Sequence, residues 1–265
     1  MLDMMSQAKN AIEAYNTALR ASSSNIANMN VTGYKRLDVS FQSVFERVLS
    51  RGTAAYNNTG GTNPRQYGQG MALSSVSVDF SAGDRIEGGN LDLLIQGNGL
   101  FIVSPDGGNS FLYTRAGNFE IINGNLTSNG MQVYGLNNSG GLVPISNLSG
   151  SSQDYSWDSE GRLLYQGNPA GYQIALTYFS NPGGMAQAQG TTFAETPASG
   201  SSASPLAPGS SSAVGTIVPK YLEQSNVFYL GETLDALEIQ RAMSGNLTIV
   251  RMASDMISQF ISKLS

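Results

Sequence analysis

Apolar residues near the start of the chain recur every seven positions: Met5, Ile12, Leu19 and Ile26 in one series, and Ala8, Tyr15, Ser22 and Met29 in a second. This is the narrow stripe of a coiled-coil-like helix. It predicts a helix from about residue 3 to 28, about 39 Å long. The period returns at the other end in Ala236, Met243, Val250, Ile257 and Leu264, with Ile239, Ala253 and Phe260 three positions further on and Leu247 and Ile261 four. Residues 232–263 then read as a rod of about 48 Å. Gly245 lies inside it, costs roughly 1 kcal/mol against alanine and marks a place for a bend.

Between the ends the period changes from seven to two. The stretch 24–35 makes the change: Ser24, Asn25, Asn28 and Asn30 suit a helix end better than its interior, and Thr32-Gly33 supplies a position that tolerates positive φ. Val39, Phe41, Val44, Phe45, Val48 and Leu49 fit either helix or strand. Arg51 to Gly70, rich in Gly, Asn and Thr and containing Pro64, reads as an extended connection. Val76, Val78 and Phe80 then alternate with polar residues. Leu91–Ile95, Leu100–Val103, Met131–Val133 and Gln173–Phe179 are further strand segments. Asn123-Gly124 and Asn129-Gly130 are hairpin turns, and Asp158–Gly161 joins Tyr155–Trp157 to Arg162–Tyr165. Apart from Leu206, residues 197–212 are Ser, Ala, Gly and Pro, a surface loop. The fold class is α+β: long terminal helices forming a coiled-coil-like domain from 1–30 and 226–265, an extended segment 31–70, and a central domain of antiparallel strands, 71–225.

Composition narrows the chemistry. The 265 residues contain neither Cys nor His, which excludes disulfides, thiol nucleophiles, the usual zinc sites and any Ser-His or Cys-His pair. With a net charge of -5 there is no basic surface for nucleic acid. No apolar run approaches the ~18 residues of a membrane span, so no membrane insertion is expected, and the first ten residues lack a secretory pattern. By those rules alone the protein would be soluble and cytoplasmic. The remaining acid–base kit is a carboxylate pair, for which Asp84, Glu87, Asp92, Asp158 and Glu160 are the candidates. They sit beside turn residues, and no spacing among them meets the geometry of a hydrolase. No cofactor or metal is expected, since the Asp158 turn lacks the full calcium-loop pattern.

A two-helix unit of this size is marginal by itself. Either other copies of the chain complete its apolar surface, or both helices lie on the β region of one globular fold. Periodicity does not separate the two. A secreted adhesin on a helical stalk would share the heptads.

Several motifs resemble one family. Ser24-Asn25-Ile26-Ala27-Asn28-Met29-Asn30-Val31-Thr32-Gly33-Tyr34-Lys35 is similar to the N-terminal signature of bacterial flagellar rod and hook proteins. Asp92 to Phe101, with Gly97 and Gly99, then Tyr113-Thr114-Arg115-Ala116-Gly117-Asn118-Phe119, Asn181-Pro182-Gly183-Gly184-Met185, Ser199-Gly200, Ser225-Asn226-Val227 and Gln240-Arg241-Ala242 follow in the family's order. Ser24, Val31, Leu100 and Met243 depart from its usual residues.

The resemblance implies a non-enzymatic structural subunit that polymerises into a helical tube around a central channel. It also implies passage through the flagellar type III export apparatus without a cleaved signal, and a location in the basal body outside the cytoplasm. Its partners would be copies of itself and other rod and hook proteins. Terminal helices would line the tube, with Met5, Ile12, Tyr15, Leu19, Ile26, Met243, Val250, Ile257, Phe260 and Leu264 at the assembly interface. Arg51–Gly70 is a candidate contact with neighbouring subunits or surrounding ring proteins. Hook proteins generally carry an additional outer domain for which this chain has no room, so the resemblance favours a rod protein, distal or proximal, over a hook subunit.

Overall fold

Helix-forming Ala, Leu, Met, Gln and Lys carry the first element, α1 (Leu2–Ala27), up to the asparagines that end it. The computed structural model describes residues 2–43, 46–50, 61–63, 65–68 and 70–264. Most of Arg51–Gly70 (51–60, 64 and 69), together with Val44 and Phe45, lies outside the described residues. The second helix, α2 (Tyr229–Leu264), begins three residues earlier than its heptads predict and is continuous through Gly245. Two compact units result: residues 1–26, 37–76 and 229–265 form the first, and residues 27–36 and 77–228 form the second.

In the first unit, strand Leu37–Ser43 pairs with Met71–Val78, and Glu46–Ser50 pairs antiparallel with Arg65–Gly68. The segment that reads as extended in sequence thus carries strands. Two contacts set α1 beside this ribbon: the Tyr15 and Phe41 rings meet edge to face at 5.9 Å, and Gly70 lies against Gln7. Asn25 brackets the returning chain, its Nδ2 donating to Leu37 O and its Oδ1 accepting from Leu37 N, both at 2.9 Å.

The second unit is built on a 12-stranded sheet in which every recorded pairing is antiparallel. Strand Met131–Asn137 is its hub, paired with Leu100–Ser104, Asn125–Ser128, Leu142–Pro144 and Asn168–Ile174. Both Asn-Gly dipeptides turn as expected, with all four residues at positive φ (Asn123 52°, Gly124 76°, Asn129 50°, Gly130 80°). The single strand expected over 173–179 is divided. Residues up to Ile174 pair with Met131–Asn137, whereas Leu176–Thr177 pair with Leu100–Phe101. Two edges compete for one segment, and the chain turns between them at Ala175.

The core of this unit gathers Phe101, Val103, Phe119, Leu126, Val133, Ile145, Trp157, Leu163 and Ile174. Phe119 packs edge to face with Phe101 at 5.1 Å and with Trp157 at 6.4 Å, and Trp157 Nε1 donates to Leu91 O. Two C-terminal strands close the unit: Thr216–Pro219 pairs with Leu93–Gln96, and Tyr221–Glu223 with Arg85–Glu87.

Candidate functional site

Motifs distant in the chain meet in the second unit around one carboxylate, Glu223. Lys35 Nζ donates to Glu223 Oε1 at 2.6 Å and to Ser81 O at 2.6 Å. From the other side Arg115 Nη1 lies 3.5 Å from Glu223 Oε2 and 3.2 Å from Ile95 O, while Nη2 donates to Gly97 O at 2.7 Å. Gly83 N also donates to Glu223 Oε1. The side chains of Lys35 and Glu223 are almost wholly buried. Burial lowers the pKa of Lys35 and of Arg115, and the Glu223 charge opposes the shift in each.

Backbone geometry brings these charges together. Gly33 has φ +70°, its N–H donates to Glu223 O, and a Cβ there would overlap the backbone of Ala116. Only glycine admits that approach and that conformation together. At Gly117 a Cβ would run into Leu93 O. Asn226 completes the junction: Oδ1 accepts from Arg36 N, and Nδ2 donates to Asp79 O, both at 2.8 Å. Thr114 Oγ1 accepts from Ala116 N and donates to Thr191 O, holding the turn that presents Arg115.

The motif residues Gly33, Tyr34, Lys35, Gly97, Thr114, Arg115, Gly117, Phe119, Ser225 and Asn226 therefore belong to one unit. Gly99 begins strand Leu100–Ser104 there, and Ser225 Oγ accepts from Val227 N. Asn28 O accepts from Val31 N in the same unit. Asn25 sits in the first unit, and Gln240 and Arg241 lie exposed on α2. Glu223 is absent from the sequence-based set. Its signal was the pair of cations, Lys35 and Arg115, in strongly patterned motifs that needed a counter-charge.

In the first unit, the fully buried positions of α1 are Ala8, Ala11, Ala14, Ala18, Ala21, Ser22 and Asn25. The larger Met5, Ile12, Tyr15, Leu19 and Ile26 are only half-buried. On α2 the heptad stripe Ala236, Ile239, Met243, Val250 and Ile257 is half-buried, and Ala253 is buried. The side chain of Leu264 lies outside the described residues. A second apolar stripe, Leu230, Leu234, Leu237, Ile249, Met252, Met256 and Phe260, is exposed, Phe260 to 70%. At 100° per residue it runs along the far side of the helix from Ala236, Ile239 and Met243. Phe260, three residues beyond Ile257 and four beyond Met256, lies at the border between the two faces.

The candidate acid–base carboxylates hold turns. Asp158 Oδ1 accepts from Glu160 N and Arg162 N, Asp92 Oδ2 accepts from Gly89 N, and Glu160 pairs with Arg162. Asp84 accepts Gln224 N through its backbone oxygen, and Glu87 lies in the strand paired with Tyr221–Glu223. No helix among the described residues is long and apolar enough to cross a membrane.

The family model described as "Flagella basal body rod protein" matches residues 5–35. The flagellar basal-body rod protein FlgG of Bacillus subtilis is 28% identical over 266 residues, covering 98% of both chains. That of Agrobacterium fabrum is 32% identical over 263 residues, covering 95% of both. The flagellar hook protein FlgE of Treponema pallidum is 34% identical over 128 residues, 47% of this chain and 27% of the hook protein.

Proposed function

From the premise that the chain belongs to the flagellar basal-body rod protein family and is a structural rod subunit, we propose that its copies polymerise through α1 and α2 into the wall of a helical tube. The exposed second apolar face of α2 carries this reading. A helix apolar on two opposite faces needs partners on both, and its exposed apolar residues, Leu230 to Leu237 and Ile249 to Phe260 on either side of the polar Arg241, Ser244 and Thr248, mark interaction surfaces. In the polymer the Leu230–Phe260 stripe and the half-buried Met5, Ile12, Tyr15, Leu19 and Ile26 pack against neighbouring copies in coiled-coil-like fashion.

The terminal helices then line the export channel. Close-packed apolar interfaces resist compression, which is the mechanical requirement for transmitting torque. The subunit leaves the cell through the flagellar export apparatus and works in the basal body, beside other rod and hook proteins and the ring proteins around them. Full-length similarity to rod proteins, against about half-length similarity to the hook protein, favours rod over hook.

Met252→Asp, on the exposed face of α2, tests the reading. The substitution places an unpaired charge in the apolar contact between copies. It abolishes polymerisation, followed by light scattering and electron microscopy, while the second unit keeps its native circular dichroism. Normal filaments from this variant would overturn it.

A further inference from the structure

The first unit is not one run of chain. Its three pieces, residues 1–26, 37–76 and 229–265, are separated by residues 27–36 and 77–228, which belong to the second unit. The chain therefore passes between the units at 26/27, 36/37, 76/77 and 228/229. The pieces that carry α1 and strand Met71–Val78 meet α2 only by closing a loop that contains most of the second unit. The entropy of that closure opposes the first unit unless the ends of its pieces are already held together.

Two asparagine side chains hold them. Asn25 ties the first two crossings, its Nδ2 and Oδ1 bonded to Leu37 O and Leu37 N, both at 2.9 Å. Asn226 ties the last three from within the second unit. Its Oδ1 accepts from Arg36 N at 2.8 Å, and its Nδ2 donates to Asp79 O at 2.8 Å and to Ser81 O and Oγ at 3.2 and 3.0 Å. Asp79 N donates to Arg36 O at 2.8 Å and completes the ring of contacts. Asn25, Arg36, Leu37, Asp79 and Asn226 each lie within three residues of a crossing. A carboxamide offers a donor and an acceptor at once, so a single asparagine can bind an N–H of one segment and a carbonyl of another.

We propose that Asn226 is a clasp that makes the first unit conditional on the second. It gathers the ends of the three pieces, and α2 packs with the rest of the first unit only while the closed second unit holds those ends. Control over α1 and α2 as assembly elements then lies in the β-rich unit. That last step rests on the polymerisation reading above, whereas the clasp itself does not.

Hydrogen exchange on the full chain, read by mass spectrometry, tests the clasp. Asn226→Ala removes a side chain of the second unit, but it speeds exchange in α1 and α2 of the first by about tenfold, equivalent to one or two net hydrogen bonds, and leaves strand Met131–Asn137 unchanged. Gly130→Ala, a change in the second unit away from the crossings, leaves α1 and α2 as in wild type. Ser81→Ala removes only the Oγ contact with Asn226 and moves the same amides by roughly two- to threefold, which keeps the test decisive if Asn226→Ala does not fold. Faster exchange confined to Arg36 and Asp79 would reduce Asn226 to a local tie, and equal acceleration in Met131–Asn137 would mean a general loss of stability; either result would overturn the proposal. Light scattering on Asn226→Ala separates the clasp from the reading beneath it. A raised critical concentration for polymerisation supports both. An unchanged critical concentration together with faster exchange in the helices overturns assembly through α1 and α2 and supports the clasp.

Discussion

Lys35 and Glu223 stand 188 positions apart in the chain and meet as a buried ion pair at 2.6 Å. Arg115 shares the same carboxylate from its other oxygen. Breaking a buried pair by removing one partner costs about 3–5 kcal/mol, because the remaining charge is left without compensation. Lys35→Met still leaves Glu223 an arginine, whereas Glu223→Gln leaves two cations facing one another. Urea unfolding followed by Trp157 fluorescence should place Glu223→Gln below Lys35→Met in stability, and both below wild type. The reverse order would mean that Arg115 does not depend on Glu223.

Gly33 and Gly130 separate backbone strain from collision. Both have positive φ, but a Cβ at Gly33 meets the Ala116 backbone and one at Gly130 meets nothing within 4 Å. Gly130→Ala should cost only the conformational penalty, about 1 kcal/mol. Gly33→Ala should cost at least twice that and weaken the bond from Gly33 N to Glu223 O. Similar losses from both, measured by thermal unfolding, would refute the close approach.

Asp106 sets an acid limb. Its Oδ1 accepts from Ser110 N and Ser104 Oγ, and its Oδ2 accepts from Ser110 Oγ. These bonds, the Ser110 backbone first, lower its pKa to about 2. A carboxyl whose folded pKa lies below its unfolded value binds fewer protons when folded, so stability rises with pH across that interval. The contribution is complete above pH 4 and disappears as pH falls through about 2. Asp106→Asn should therefore be less stable than wild type at pH 5 and indistinguishable from it near pH 1, below the folded pKa. A gap that persists near pH 1 would assign the effect to lost shape rather than lost charge.

Ala18 and Phe260 mark opposite kinds of helical surface. Ala18 is 1% exposed, so Ala18→Leu overpacks the first unit and costs 1–3 kcal/mol by the usual order of magnitude. Phe260→Ser removes a side chain that is 70% exposed in the subunit and should change its stability by less than about 0.5 kcal/mol, while raising the critical concentration for polymerisation. Hydrogen exchange on α1 and α2 together with light scattering measures both. A large stability loss from Phe260→Ser would mean that its face is covered within the subunit.

The helices were legible because their apolar residues keep one period for many turns, and the hairpins because Asn-Gly has few alternatives. The buried face of α1 was not. Large residues draw the eye to Met5, Ile12 and Leu19, but the face fully buried is the alanine one, and alanine is a good helix former on any side. The second stripe of α2 was hidden by the first, since a heptad search stops at the face it finds. Glu223 escaped for another reason: in Tyr221-Leu222-Glu223 it reads as a strand residue, and only three-dimensional closure brings it to Lys35 and Arg115. The division of 173–179 between two partners likewise depends on pairings that no local pattern contains.

The late position of residues 216–226 has a kinetic consequence. A chain that has emerged only through its first two hundred residues has Leu93–Gln96 and Arg85–Glu87 without the strands that pair them, and Lys35 and Arg115 without their common counter-ion. Closing so long a loop costs entropy that is recovered only when the final strands dock. The second unit thus gains its last two strand pairings and its shared counter-ion only once almost the whole chain has been made.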